Sequence, residues 1–278
     1  MSDVQQTSPK SWYFALSEKK QFYLRQYGVG ERLLIALHGF GEQGSAFAQM
    51  PELMAQRYTL VAIDLPFHGQ TKWIADAYQP ADIISCIQHI LSSLSFKKFD
   101  CIAHSLGGRI ALACSAELDG TMERLYLLAP DGVDNAYGLW TERLPFFLRK
   151  AIAKRLDRPA WILQLSARLY QWKWIDRFSY RYLQHHLATA DNRKRMISTW
   201  LSMEYFKLTK QAIIHLLQEA SFSTLIFLGK RDTINTGKFS QGIAKQVDAV
   251  DVILLNAGHA LIQPTYEWLI ADLENATH

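Results

Sequence analysis

Three places where an apolar run stops and small or polar residues take over carry a hydroxyl, a carboxylate and an imidazole, at Ser105, Asp232 and His259. Ser105 sits in Ala103-His104-Ser105-Leu106-Gly107, with a small residue two positions to either side. That is what a strained strand-turn-helix elbow needs if it is to hold a serine hydroxyl exposed without clashes. A serine hydroxyl is a poor nucleophile until a base takes its proton, and the base works best when a third group fixes its tautomer. His259 in Asn256-Ala257-Gly258-His259-Ala260 and Asp232 in Gly229-Lys230-Arg231-Asp232 are the partners of the right type at strand ends. Each has a plainer reading: Ser105 as a helix N-cap, Asp232 as a turn cap, His259 as a surface imidazole. Asp131, in Ala129-Pro130-Asp131-Gly132, is an alternative acid at the end of the preceding strand.

The elements that must position these groups follow from hydrophobic pattern. Trp12 to Leu16 and Gln21 to Arg25 form an opening hairpin around a polar turn. Leu33 to Leu37, Thr59 to Ile63, the run from Phe99 into the elbow, Leu125 to Leu128, Thr224 to Leu228 and Asp251 to Leu255 are continuous apolar runs, as in strands buried on both faces of a parallel sheet. Helices are expected near Ser45 to Gln56, Pro80 to Leu94, Leu106 to Glu117, Lys238 to Val247 and Leu261 to Leu273. Ile83, Ile84, Ile87, Ile90, Leu91 and Leu94 make one helical stripe. The fold class is therefore α/β, with a mostly parallel central sheet and helices on both faces. Ser105, Asp232 and His259 then emerge on one carboxyl edge.

Between Asp131 and Ala220 the alternation gives way to helices alone. The division expected is a core from 1 to 130, a helical cap inserted from 131 to 220, and the rest of the core from 221 to 278. The insert carries 15 Lys and Arg against 8 Asp and Glu, and 14 of the 34 aromatic residues, while the rest of the chain is net acidic. In it, Leu144, Phe147, Leu148, Ile152 and Leu156 read as an apolar helical stripe, with Arg149, Lys150, Lys154, Arg155 and Arg158 opposite. That face is read as solvated, with an anionic membrane surface or an anionic amphiphilic substrate as the sharper alternative. Trp161, Tyr170, Trp172 and Trp174 suit an apolar acyl-sized pocket or the insert's own small core.

No basic nucleic-acid motif accompanies the positive charge, no His-Glu-x-x-His or other ligand spacing points to a metal, and no glycine-rich phosphate cradle points to a nucleotide. No cofactor is expected. Cys86, Cys101 and Cys114 lie in apolar segments and are read as buried free thiols. The polar start from Met1 to Lys10 and the absence of any long apolar run read as a cytoplasmic protein without signal peptide or membrane span. His38 is read as a brace for its turn, His104 as buried beside the elbow, Asp64 as the holder of its own turn, and His68 as a candidate for the mouth of a pocket.

The turn His38-Gly39, the turn from Asp64 to Pro66, the elbow at Ser105, the Gly-x-x-Asp at Asp232 and the Gly-His at His259, in that order, resemble the α/β-hydrolase family over nearly the whole chain outside the insert. The resemblance implies Ser105 as nucleophile, His259 as general base then acid, Asp232 as its orienting carboxylate, and the backbone N–H groups of Phe40 and Leu106 as an oxyanion hole. It implies cleavage of an ester or thioester of a small apolar substrate, anionic in one version, through a serine acyl-enzyme. A lyase using the same triad as a base, similar to a menaquinone-pathway synthase, and a non-catalytic binding protein on this fold are the alternatives. Ala103 and Phe67 depart from the family pattern, which places glycine at both.

Overall fold

In the computed structural model, which describes residues 10–133, 144–156, 159–235 and 237–275, the opening hairpin pairs β1 (Lys10–Ser17) with β2 (Lys20–Tyr27) in antiparallel register. β3 (Arg32–Leu37) follows, buried from Leu33 onward. The single helix expected near Ser45 to Gln56 is instead a 3₁₀ turn at Gly44–Phe47 and a short α1 (Glu52–Arg57). Pro51 explains the break, because a proline lacks the N–H of a continuing helix and pushes its predecessor out of the helical region. β4 (Tyr58–Asp64), with all seven residues buried, lies parallel to β3, and β5 (Lys72–Trp73) pairs with β2.

Pro80 opens α2 (Pro80–Ser93), whose first turn is fixed by Asp82 accepting the Gln79 N–H at 3.1 Å. Its stripe from Ile83 to Leu91 is buried as the periodicity requires. β6 (Phe99–His104) is buried throughout and runs into α3 (Leu106–Ser115), and β7 (Met122–Leu128) follows. Helices α4 (Phe146–Leu156), α5 (Ala160–Gln171), α6 (Arg177–Ala188), α7 (Ala190–Ser202) and α8 (Lys210–Glu219) intervene before β8 (Ser223–Gly229), α9 (Lys238–Ala244), β9 (Val250–Leu255) and α10 (Ile262–Asn275). Thr189 and Thr209 cap α7 and α8 with their side-chain oxygens.

The strand order is β1-β2-β4-β3-β6-β7-β8-β9, parallel from β4 to β9. After β3 the chain steps to one side for β4 and then returns to the other side of β3 for β6. That reversal opens a crevice at the carboxyl ends of β3 and β6, where α/β sheets bind ligands. Leu34, Ala36, Leu60, Ile102, Tyr126, Phe227, Leu261 and Tyr266 belong to the core packed on this sheet. The fold is that of an α/β hydrolase.

The chain divides into two compact units, one of residues 1–74, 79–137 and 206–278, the other of residues 75–78 and 138–205. The insertion read from sequence as 131–220 therefore overruns the helical unit at both ends. α8 belongs with the sheet: it buries Ile213 and Leu217, and Gln218 donates to the Gln246 carbonyl at 3.3 Å.

Within the helical unit the pattern read for α4 is partly reversed. Arg149, Ala153 and Leu156 are its buried residues, whereas Phe147 and Leu148 are exposed. Arg149 donates to the Glu204 carboxylate and the Trp200 carbonyl, and its guanidinium lies 4.9 Å from the Trp200 ring. These partners make burial of a charge tolerable. Arg158 lies outside the described residues.

Candidate active site

β6 ends at His104 and α3 begins at Leu106, so the whole reversal falls on Ser105, with φ +48° and ψ −110°. A side chain is seldom found there, and the surroundings must hold it. They do so through the backbone: the Ser105 N–H donates to Leu128 O at 2.8 Å, and the Ser105 carbonyl accepts from Gly108 and Asp131 N–H, both at 2.9 Å. A Cβ at Gly107 would stand 2.3 Å from the Leu37 carbonyl oxygen, so the glycine is required where α3 crosses the end of β3. The methyl group of Ala103 is buried without displacing the elbow.

β8 and β9 deliver the other two groups. Gly229, the last residue of β8, pairs with Leu255, the last of β9. A Cβ at Gly229 would meet the Gly258 carbonyl at 2.2 Å, so glycine lets the two loops approach. Asp232 accepts the N–H groups of Ile234 and Asn235 on Oδ1, at 2.8 and 3.0 Å, which leaves Oδ2 for His259 Nδ1 at 2.7 Å. His259 Nε2 lies 3.1 Å from Ser105 Oγ. A carboxylate only accepts, so Nδ1 carries the proton and Nε2 accepts from the serine hydroxyl. The Asp232 side chain is 1% exposed and that of His259 28%, so the acid is withdrawn from water while the base remains reachable. This arrangement can move a proton from Ser105 Oγ to His259 while Asp232 stabilises the cation.

The alternative acid is occupied elsewhere: Asp131 Oδ2 lies 3.0 Å from Arg109 Nε. Phe40 is in the turn after β3, closed by Glu42 N–H to Gly39 O at 3.2 Å with Gly41 at φ +78°. Leu106 is the first residue of α3, where N–H groups have no partner within the helix. β3 and β6 are neighbours, Leu37 beside Ala103, so both backbone segments leave the sheet at the same place.

Glu42 is the polar residue that the sequence did not single out. Its Oε2 accepts the Gly39 N–H at 2.7 Å and contacts His104 Nδ1 at 3.0 Å, while His104 Nε2 contacts the His259 carbonyl at 2.9 Å. Both partners of His104 are acceptors, so the protonated ring, which donates from both nitrogens, is the form that satisfies both contacts. Burial alone would lower the His104 pKa, but the bond and charge of Glu42 outweigh it and raise it; the Glu42 carboxyl, despite its own burial, is lowered to about 2 by His104. The pair ties the Phe40 turn to the His259 loop. The only sequence signal was an acid three residues after Gly39.

His38 and His68 hold turns near the site. His38 donates from Nδ1 to Gly39 O at 2.7 Å and accepts the Leu65 N–H on Nε2 at 3.0 Å, and burial lowers its pKa to about 4. His68, a candidate for a pocket mouth, is buried, with Nδ1 3.0 Å from Pro66 O and its ring edge-on to those of His38 and Phe40. Asp64 holds its turn by accepting from Arg25, from the Gly44 N–H at 2.7 Å and from the Gln70 N–H at 2.8 Å. Phe67 has φ +68°, in the left-handed region that favours glycine. The three cysteines are buried and free, and burial pushes the Cys101 thiol up to about 12.

The model of the alpha/beta hydrolase family matches residues 34–271. The chain belongs to that family. A stretch of 130 residues is 28% identical to an uncharacterised protein of Mycobacterium tuberculosis (strain ATCC 25618 / H37Rv), covering 47% of this chain and 38% of that one. A stretch of 120 residues is 26% identical to an uncharacterised hydrolase of Bacillus subtilis (strain 168), covering 43% and 44%. The matched stretches thus span less than half the length of these curated relatives. Among solved structures, the thioesterase domain from the curacin biosynthetic pathway is similar with a TM-score of 0.68 at 17% identity, over 97% of this chain and all of that one. An esterase from Exiguobacterium antarcticum is similar with a TM-score of 0.66 at 14% identity, over 95% and 100%. At these identities the likeness is one of fold.

Proposed function

We propose that this α/β hydrolase cleaves a carboxylic ester or thioester through an acyl-enzyme on Ser105. The observation that carries the reading is the continuous chain from Asp232 through His259 to Ser105 Oγ, with contacts of 2.7 and 3.1 Å. His259 Nε2 takes the hydroxyl proton as Ser105 Oγ bonds to the carbonyl carbon. Negative charge passes to the carbonyl oxygen, and the N–H groups of Phe40 and Leu106 receive it. When the tetrahedral species collapses, the bond to the leaving oxygen or sulfur breaks and His259 returns the proton to it. Water then attacks the acyl-serine by the same route, with His259 again as base. Asp232 stabilises the imidazolium in both halves.

The test is labelling of the full chain with a fluorophosphonate, peptide mapping, and turnover of short p-nitrophenyl esters and acyl thioesters. An adduct at Ser105 together with ester or thioester turnover is the expected result. No labelling of the folded protein overturns an activated serine, and labelling without either turnover overturns the acyl-transfer reaction while keeping the activated serine.

A further inference from the structure

Helix α5 carries a stripe that the catalytic reading does not use. Trp161, Leu165, Arg168 and Trp172 recur at spacings of four, three and four residues, which places them on one helical face. Trp161, Leu165 and Trp172 are 49%, 43% and 61% exposed, and Trp174, just beyond the helix, is 76% exposed. Ser166 is the buried residue of this helix. The stripe therefore shows to solvent the side chains that a folded chain ordinarily covers.

The end of α5 is not a frayed segment. The Lys173 N–H donates to Tyr170 O at 3.0 Å and the Trp174 N–H donates back to Leu169 O at 2.9 Å, the two bonds of a Schellman turn. Lys173 takes the left-handed position with φ +59°, where glycine is the favoured residue. Local geometry thus argues against lysine at the site that has it, and burial argues against tryptophan on both sides. The two indoles meet edge-on with centroids 6.1 Å apart. From Gly138 to Tyr205 the sequence carries 13 Lys and Arg against 5 Asp and Glu. Exposed indoles on an ordered turn, interleaved with cations on a strongly basic unit, complement the boundary of an anionic bilayer: indoles partition to the headgroup level and cations pair with the headgroups.

We propose that the exposed face of α5 and the turn Trp172-Lys173-Trp174 dock on the surface of an anionic lipid bilayer. Contact is peripheral, since a 12-residue helix spans about 18 Å against a hydrocarbon core of about 30 Å. The proposal stands independently of the acyl-enzyme, because none of these residues belongs to the triad.

The experiment is flotation of the full chain with phosphatidylcholine vesicles, with and without about 30% phosphatidylglycerol, read by partition and by tryptophan emission. The expected result is a partition at least about tenfold higher on the anionic vesicles, weakening as salt shortens the Debye length. Joint substitution Trp172→Ser and Trp174→Ser lowers it about tenfold or more, with unchanged melting and unchanged turnover of a soluble ester. Lys173→Gly separates binding from folding: it relieves the positive φ, so the turn persists or melts higher, yet partition falls about fivefold with the lost charge. Equal partition on both vesicle types, or an unaltered partition after the paired tryptophan substitution, overturns the proposal. So does a tryptophan pair that raises KM for a soluble anionic acyl ester without changing partition, which assigns the face to substrate passage instead.

Discussion

Asp64 in the sheet unit and Arg149 in the helical unit are both charged and wholly buried, yet they are held in different ways. Asp64 accepts from two backbone N–H groups as well as from Arg25, and those N–H groups sit on the 3₁₀ turn that follows β3 and on the turn that follows β4, two paired strands. Arg149 has one carboxylate and one helix-end carbonyl, contributed by residues 51 to 55 positions further along the chain. The candidate triad follows the first design: Asp232 is fixed by two backbone N–H groups, and Ser105 by bonds to Leu128, Gly108 and Asp131. Where strand pairing has already placed the backbone, a side chain can be changed with little effect on the scaffold. Where side chains bring helices together, changing one loosens the unit.

The largest expected effect breaks chemistry without touching that scaffold. Ser105→Ala should lower kcat for a reactive ester on the order of 10⁶-fold while melting within about 1 kcal/mol of the parent, since the backbone bonds of the elbow persist. A large loss of stability would mean that the hydroxyl, rather than the backbone, holds the turn. Next is Asp232→Asn, which turns His259 to the wrong tautomer and should cost about 10⁴-fold in kcat. Asp131→Asn should leave kcat within about tenfold and instead weaken the contact to Arg109, a stability effect on the order of 1 kcal/mol. The reverse ranking in kcat would make Asp131 the acid.

In the helical unit the comparison predicts the opposite balance. Glu204→Ala removes the carboxylate from the buried Arg149 guanidinium, which keeps the carbonyl and ring of Trp200, and should loosen α4 and α7 by about 3 kcal/mol. Hydrogen exchange should rise in those helices, while strands β3, β6 and β8 keep their protection. Uniform exchange in the parent and variant would show that the pair does not hold the helices together.

The same contrast explains what was legible in the sequence. β4 and β6 are buried at every position, so each carries a run of consecutive apolar residues, Leu60 to Ile63 and Cys101 to Ala103, that marks it in the sequence, and Ser105, Asp232 and His259 stand as polar residues past such runs. α2 was read from a stripe its burial reproduces. In α4 the stripe misled: Phe147 and Leu148 face water and Arg149 faces inward, because a carboxylate far along the chain reverses the cost of burying a cation. No periodicity encodes that partner. Glu42 escaped for the same reason, since His104, which gives it meaning, is 62 residues away. Phe67 was visible as a departure from glycine, but only its φ of +68° shows that the departure is a backbone demand met by a side chain.

The smallest effect tests whether His104 is held charged. Glu42→Gln keeps an oxygen for the Gly39 N–H and for His104 Nδ1 and removes only the charge. The raised pKa of His104 contributes stability that is complete below about 6.5, the value of a free imidazole, and is lost as pH rises through the folded value. The carboxyl of Glu42, lowered from 4.5 to about 2, contributes stability that is complete above 4.5 and is lost as pH falls through about 2. The bridge is therefore strongest between about pH 4.5 and 6.5. With the Glu42 side chain 34% exposed, solvent screens the pair, and the substitution should cost about 1 kcal/mol near pH 5.5, or about 2 °C in Tm. Buried His38, whose pKa is lowered to about 4 although the Glu42 charge raises it, loses its own contribution as pH falls below about 6.5, so the two proteins are compared above that pH, where the folded ring is neutral in both. The gap in Tm between parent and variant should accordingly close as pH rises above 6.5 and through the raised pKa of His104. A gap that stays constant over that range would mean a neutral His104, which can donate to Glu42 or to His259 but not to both.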